Sequence, residues 1–349
     1  MSDHDDHQRN EGPRGLRTPP AGPLASMESP PRRGRWRTAL QVVGALIGVA
    51  LAWWAVRLAF GGENEEALRR LRDASLWAVL GLLGLTALHI TLNGLLFWVA
   101  LRPLKGGEGV TPGRVVLVNT IPTLLAILPF KLGFVVRVGL HHRLDALSFK
   151  TLAAWMGAFA ALTLAALVPA GAIGLFTDGA VWWALLVLTP AIGLVGVWCA
   201  ARLAMRWGLL HRLMLGAERV LTDPRALVPT YALRMVDIGV QGARFALAAS
   251  VVGVTLEPQH ALLLGASYFL VVAVAPAGAL GVAEIGTASI AAAVGLDQAT
   301  FALVALVVSG SHYLGALLLS IPSAIVLRPD RVLMRQPAAE ASLPSDAWA

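Results

Sequence analysis

The sequence predicts an all-α polytopic membrane protein, with about six full transmembrane helices plus two re-entrant helical hairpins in an inverted repeat. Three observations carry that expectation. Hydrophobic residues make up 56% of the 349-residue chain and charged residues 14%, against about 25% charged in a soluble domain. Mean hydropathy is +0.68, and several apolar runs exceed the roughly 20 residues that a spanning helix needs. Two further apolar runs are broken near the middle by Pro and Gly into halves too short to cross.

Residues 1–36 form a tail rich in Pro and Arg with no apolar periodicity, so disorder on the cytoplasmic side is expected. Thr38–Phe60 is longer than a signal-peptide core and has no small-residue cleavage site close behind it, which makes it an uncleaved first span. Glu63–Asp73 reads as a charged connector, with Glu65 and Glu66 spaced for i,i+4 pairing with Arg69 and Arg70. Leu76–Leu101 is the second span. Its His89, Thr91 and Asn93 are the kind of mid-span polar groups that hydrogen-bond to neighbouring helices.

Arg102–Arg114 is a basic loop. Val115–Leu128 and Lys131–Leu144 flank Pro129, and each arm would be about 21 Å long as a helix, short of the roughly 30 Å hydrocarbon core. Two such arms read as one hairpin that enters and leaves on the same side. Ser148–Leu175 is a span, Phe176–Gly179 a turn and Trp182–Ala204 another span; residues 205–226 read as a polar loop. Ala226–Val254 is a span, His260–Ala275 and Leu280–Gly295 are a second pair of short arms around residues 276–279, and Thr300–Leu327 is the last span.

Residues 37–327 thus form the membrane domain, followed by a polar cytoplasmic tail, 328–349, expected to be disordered. Segments 76–175 and 227–327 each read span, hairpin, span, and the single helix between them inverts the second copy. With both termini inside, the Lys- and Arg-rich segments fall on the cytoplasmic side, apart from the connector at 63–73, as the positive-inside rule requires.

Charge and broken backbone at membrane depth usually line a cavity or a substrate path. In the first hairpin, Leu128–Arg143, the residues Lys131 and Arg137 beside the Pro129 and Gly133 break could hold a phosphate, Arg as a planar fork and Lys as a point charge. Arg137 and His141 share a helix face. His141, His142 and Arg143 read as anchors that snorkel to the headgroups. In the second hairpin, Gly278 and Gly281 permit a sharp turn. Glu284 follows, either capping the second arm or acting as a counter-charge to Arg137 or a proton site. Arg234, Asp237, Gln241 and Arg244 lie on one helix face by their spacing, which must meet protein or water and not lipid. Asp237 can pair with Arg234 or Gln241. Ser309 and His312 form a smaller patch read as structural, and the single Cys199 reads as a core or lipid-facing thiol.

The pattern Pro129, Lys131, Gly133, Arg137 in the first half, with Gly278, Gly281, Glu284 in the second, resembles the lysylphosphatidylglycerol synthase transmembrane-region family, which are flippase-like integral membrane proteins. The resemblance spans about residues 40–327. It implies movement of a polar or charged lipid between leaflets, with Lys131 and Arg137 binding the phosphate and Glu284 and the Arg234–Arg244 stripe completing the cavity. The family usually has an acid directly after the first motif's glycine, where this chain has Phe134. There is no soluble aminoacyl-transferase domain, so lipid synthesis is not expected.

The expected partners are membrane lipids with an anionic or zwitterionic headgroup, in a bacterial cytoplasmic (inner) membrane. A soluble-anion secondary transporter is the alternative, and a non-catalytic partner of a lipid- or glycolipid-modifying enzyme is a third reading. Nucleic acid is not an expected partner, because the arginines flank apolar spans. No metal or cofactor is expected, and no catalytic residues, since no paired carboxylates, His cluster or nucleophile–base constellation appears. With no nucleotide-binding motif, any energy coupling would come from ions, the lipid gradient or a partner.

Overall fold

The computed structural model of the chain describes residues 34–104, 106–107, 109–126, 132–176, 180–274 and 281–334, and every regular element among them is helical. By contacts the chain divides into Met1–Ala39 and Leu40–Ala349. In the first unit only the opening turns of a helix that begins at Gly34 are described. All packing below belongs to the second.

Helix α1 (Gly34–Ala59) ends where Asn64 Nδ2 donates to Ala59 O at 3.0 Å, across a single 3-10 turn (Gly62–Asn64). In α2 (Glu65–Arg72) the expected Glu66–Arg70 pair forms at 2.5 Å on the exposed surface. The Arg70 hydrogen bond and charge hold the Glu66 carboxyl below its ordinary value. Helix α3 (Leu76–Leu101) opens on Ser75, whose Oγ accepts from the Ala78 N–H at 3.2 Å, satisfying one of the donors orphaned at a helix start.

Helices α4 (Pro112–Leu125) and α5 (Leu132–Leu144) are the arms of the first hairpin. Arg114, at the start of α4, donates to Leu144 O at the end of α5 and pairs with Asp145 at 2.8 Å. The entry and exit of the hairpin are therefore tied together. Gly133 brings the arms into backbone contact, since a Cβ there would stand 2.2 Å from Pro122 O.

The chain continues as α6 (Phe149–Phe176) and α7 (Ala180–Arg206). Residues 205–226, expected as a polar loop, instead contain α8 (Gly208–Met214) and α9 (Glu218–Thr222). Its spread of arginines (Arg206, Arg212, Arg219 and Arg225) suggested a solvated loop, but Val220 and Leu221 are buried, and that apolar pair folds the segment onto the core. Helix α10 (Pro224–Val251) is N-capped by Asp223, which accepts from the Arg225 N–H at 3.0 Å, with Pro224 in the first position. Helices α11 (Pro258–Val274) and α12 (Val282–Ala293) are the second pair of short arms. Helix α13 (Gln298–Leu327) is capped by Asp297 on the Thr300 N–H at 2.7 Å. A last turn, α14 (Pro329–Met334), extends the helical structure into the stretch expected as a C-terminal tail, just as α1 begins inside the expected N-terminal one. The remainder of both tails lies outside the described residues.

Among the described residues, five helices are long and apolar enough to cross a membrane: Val42–Ala59, Leu76–Leu101, Phe149–Leu175, Ala184–Arg206 and Gln298–Leu327. Helix α10 has 28 residues, as long as α6, but carries its charged stripe buried against other helices. The arms are half that length, about 18–26 Å at 1.5 Å per residue.

Helix packing repeats itself when the two halves are exchanged. Helix α3 packs along α10; α4 packs on α13 as α11 packs on α6; and α3 meets α4 as α10 meets α11. Within each hairpin the two arms touch, α4 with α5 and α11 with α12. The core is apolar and aromatic around Trp155, whose Nε1 donates to Phe97 O at 2.8 Å while Phe97 stacks on Phe159 at 4.0 Å. Cys199 is exposed on α7, so that thiol is not a core residue.

Candidate functional site

The polar stripe of α10 is folded inward. Asp237 is fully buried and accepts from His89 Nδ1 at 2.6 Å through Oδ1. Its Oδ2 accepts from Arg234 Nη1 at 2.6 Å and Asn93 Nδ2 at 3.1 Å. A carboxylate only accepts, so this geometry places the His89 proton on Nδ1. The guanidinium of Arg234 also lies over Phe159 and Phe269, 4.7 and 5.1 Å from their centroids. Of the two partners the spacing allowed Asp237, the structure selects Arg234. Gln241 turns instead to Arg244, accepting from Nη1 at 2.7 Å. Arg244 Nη2 donates to Val308 O at 2.9 Å and to Ser311 Oγ at 3.2 Å on α13.

Beside this stripe lies a cavity of about 510 Å³ between the halves, a size typical of small-ligand sites. Arg137 from α5 and Arg244 with Gln241 from α10 face it, as do His89 and Asn93 from α3 and His312 from α13. The walls are otherwise largely apolar and aromatic. Arg137 stacks over Phe97 at 4.4 Å and has no ion-pair partner among the described residues; its Nε is buried without a hydrogen bond. Arg244 is surrounded by neutral acceptors, and its Nε too is unpaired. Asn119 Oδ1 and His312 Nδ1, both on residues lining the cavity, are likewise buried without a partner. Thr163 Oγ1 is a fifth such atom on the lining. Unpaired buried polar groups are costly, and five of them around one cavity make it the candidate site for a polar guest.

Glu284, fully buried in the first turn of α12, stands outside this lining. It accepts from Ser309 Oγ at 2.5 Å, and Ser309 is in turn 2.8 Å from the hydroxyl of Tyr268, which does face the cavity. No ion pair joins Glu284 to Arg137 among the described residues, so the counter-charge expectation is not met. The Ser309 hydroxyl, expected to be structural, takes that place. Gly281 enters α12 at φ +78°, and a Cβ there would stand 2.2 Å from Ala52 N of α1. It supplies a left-handed turn and close helix contact in one residue.

The anchors expected at the end of α5 are not alike. His141 is buried and bound to Asp145 at 2.6 Å, with its ring edge against Trp155, so it locks the hairpin base instead of reaching for headgroups. His142 Nδ1 lies 2.7 Å from Leu147 O, and Arg143 reaches Val332 O at 3.3 Å. Pro129, Lys131 and Gly278 lie outside the described residues. Of the other expected residues, the fold brings Arg137, Gln241 and Arg244 to the cavity. It sets Arg234 and Asp237 behind it, and leaves Gly133 and Gly281 as contact points between helices.

A sequence model of the lysylphosphatidylglycerol synthase transmembrane region matches residues 41–320, most of the chain. The chain belongs to the lysylphosphatidylglycerol synthase transmembrane-region family. With its spanning helices, that membership makes it an integral membrane protein. No curated protein and no solved structure matches it. In this family member, Asn119, Thr123, Tyr268 and Tyr313 also line the cavity and were not singled out from sequence. Asn119 and Thr123 carried a readable signal, a polar i,i+4 pair on a mostly apolar arm. The two tyrosines carried none, since an aromatic in an apolar helix reads as core.

Proposed function

We propose that this protein translocates a polar-headed lipid between the leaflets of a bacterial cytoplasmic membrane, with both termini in the cytoplasm. The observation that carries this reading is the pair Arg137 and Arg244, which face one cavity without a carboxylate partner on either among the described residues. Two guanidiniums held this way suit a phosphate, which accepts bidentate hydrogen bonds. The apolar and aromatic walls suit the upper acyl region.

In this reading the short arms α4–α5 and α11–α12 are re-entrant hairpins that approach the midplane from opposite sides. The headgroup enters between them while its tails stay in the bilayer. The lipid leaves chemically unchanged, so the protein is not an enzyme, and no cofactor takes part. On its place in the sequence, Lys131 adds a further phosphate contact to Arg137 and Arg244, and Glu284 acts on the site through Ser309 and Tyr268.

The test is reconstitution of the full chain in proteoliposomes carrying fluorescent phosphatidylglycerol, with dithionite quenching of the outer leaflet. Quenching beyond half of the label is expected, and Arg137→Ala returns it to the protein-free level. A wild-type trace that matches empty liposomes sinks the proposal.

A further inference from the structure

We infer that the cavity selects an anionic phosphate-bearing lipid headgroup and rejects zwitterionic ones. This deepens the lipid-translocating reading and rests on it. The ground is the charge inventory around the cavity. Arg137 and Arg244 face it, and no Asp or Glu lines it among the described residues. The undescribed residues between the arms, 127–131 and 275–280, contribute one Lys and no acid to the sequence.

Two buried acids in the helices around the cavity are withheld from it. Asp237 is fully buried, with Oδ1 taken by His89 and Oδ2 by Arg234 and Asn93. Glu284 is fully buried behind Ser309 and Tyr268. A phosphate completes the guanidiniums. An ammonium would sit beside two fixed cations with only neutral acceptors in reach, and desolvated like charges at that range repel strongly. Discrimination then comes from an unfavourable term built against the wrong headgroup, beyond the favourable one for the right headgroup.

Phe134 marks the position that sets this balance. It lines the cavity and lies one helical turn before Arg137 on α5, the spacing at which an acid would neutralise the arginine. Phe134→Glu therefore gives the site a carboxylate for an amine and lowers its net positive charge.

The experiment is equilibrium binding to the purified full chain in detergent. Fluorescent phosphatidylglycerol is the probe; unlabelled phosphatidylglycerol, phosphatidylethanolamine and inorganic phosphate are the competitors. In the wild type, phosphatidylglycerol competes about ten-fold or more better than phosphatidylethanolamine, and inorganic phosphate is weak because it lacks the acyl chains. In Phe134→Glu the two lipids draw to within about three-fold.

Equal competition by both lipids in the wild type overturns the inference without any variant having to fold. So does a site that inorganic phosphate occupies and lipid does not, which would identify a soluble anion as the ligand. The liposome assay separates the two proposals: selective binding with no translocation defeats the transport reading alone, and translocation that ignores headgroup charge defeats this one alone.

Discussion

Asp237 and Arg137 show how differently two buried charges behave in one protein. Asp237 is fully committed, to Arg234, His89 and Asn93. Asp237→Ala leaves Arg234 buried without its anion, which costs about 3–5 kcal/mol. Thermal unfolding in detergent should show a clear drop in melting temperature, and an unchanged one would mean that the network is not structural. Among the described residues Arg137 has no ion pair to lose, and its stacking on Phe97 contributes about 0.5–2 kcal/mol. Arg137→Ala should therefore keep the fold nearly as stable as wild type while abolishing lipid binding. Paired loss of both would place Arg137 with the structural residues. Ser309→Ala strips Glu284 of its side-chain donor, whose other oxygen is already unpaired, and should lower stability by about 1–3 kcal/mol, read from the same melting curves.

At the scale of elements, the first hairpin is held at its base and at its middle. Arg114, His141 and Asp145 tie the start of α4 to the end of α5, and Gly133 lets the arms touch. Gly133→Ala forces its new methyl onto the Pro122 carbonyl. The expected penalty is about 1–3 kcal/mol, with a larger loss of transport because the arm that carries Arg137 is displaced. Melting curves and the quenching assay, run side by side, check both effects. The tied base also predicts topology. Single cysteines at Gly109 and Ser148, both exposed at the two ends of the hairpin, should react with an impermeant maleimide from the same side in intact cells. Labelling from opposite faces would make one arm a crossing helix.

At the scale of the whole molecule, exchange of the halves reproduces the helix contacts, with α3 against α10 at the centre and the cavity beside them. A guest there touches both halves, so binding should couple to global stability. A ligand that binds only the folded state at about 100 times its Kd adds about 2.7 kcal/mol. Phosphatidylglycerol should raise the melting temperature of the wild type and leave that of Arg137→Ala unmoved, as followed by intrinsic fluorescence of the tryptophans. A rise of equal size in the variant would point to general bilayer effects and away from the cavity.

Much of this was legible in the chain. Long apolar runs must become spanning helices because buried backbone has no other way to pair its N–H and C=O groups. Helical spacing alone put Arg234, Asp237, Gln241 and Arg244 on one face. Broken runs with Pro and Gly fixed the short arms to within a few residues. Partner choice was not legible: Asp237 had two local candidates, and the decision came from His89 and Asn93, 148 and 144 residues away. The histidines after Arg137 read alike, yet Asp145 draws His141 inward. Tyr268 became part of the cavity because α11 and α13 meet there, which no local pattern records. The sequence by itself determined the long helices and the short arms, with their approximate length and polarity, because these follow from short-range periodicity and the cost of exposing peptide groups to lipid; it did not show α8, α9 or α14. Only the tertiary structure decided which charges are neutralised and which stand without an ion pair among the described residues, because that depends on contacts between helices far apart in the chain.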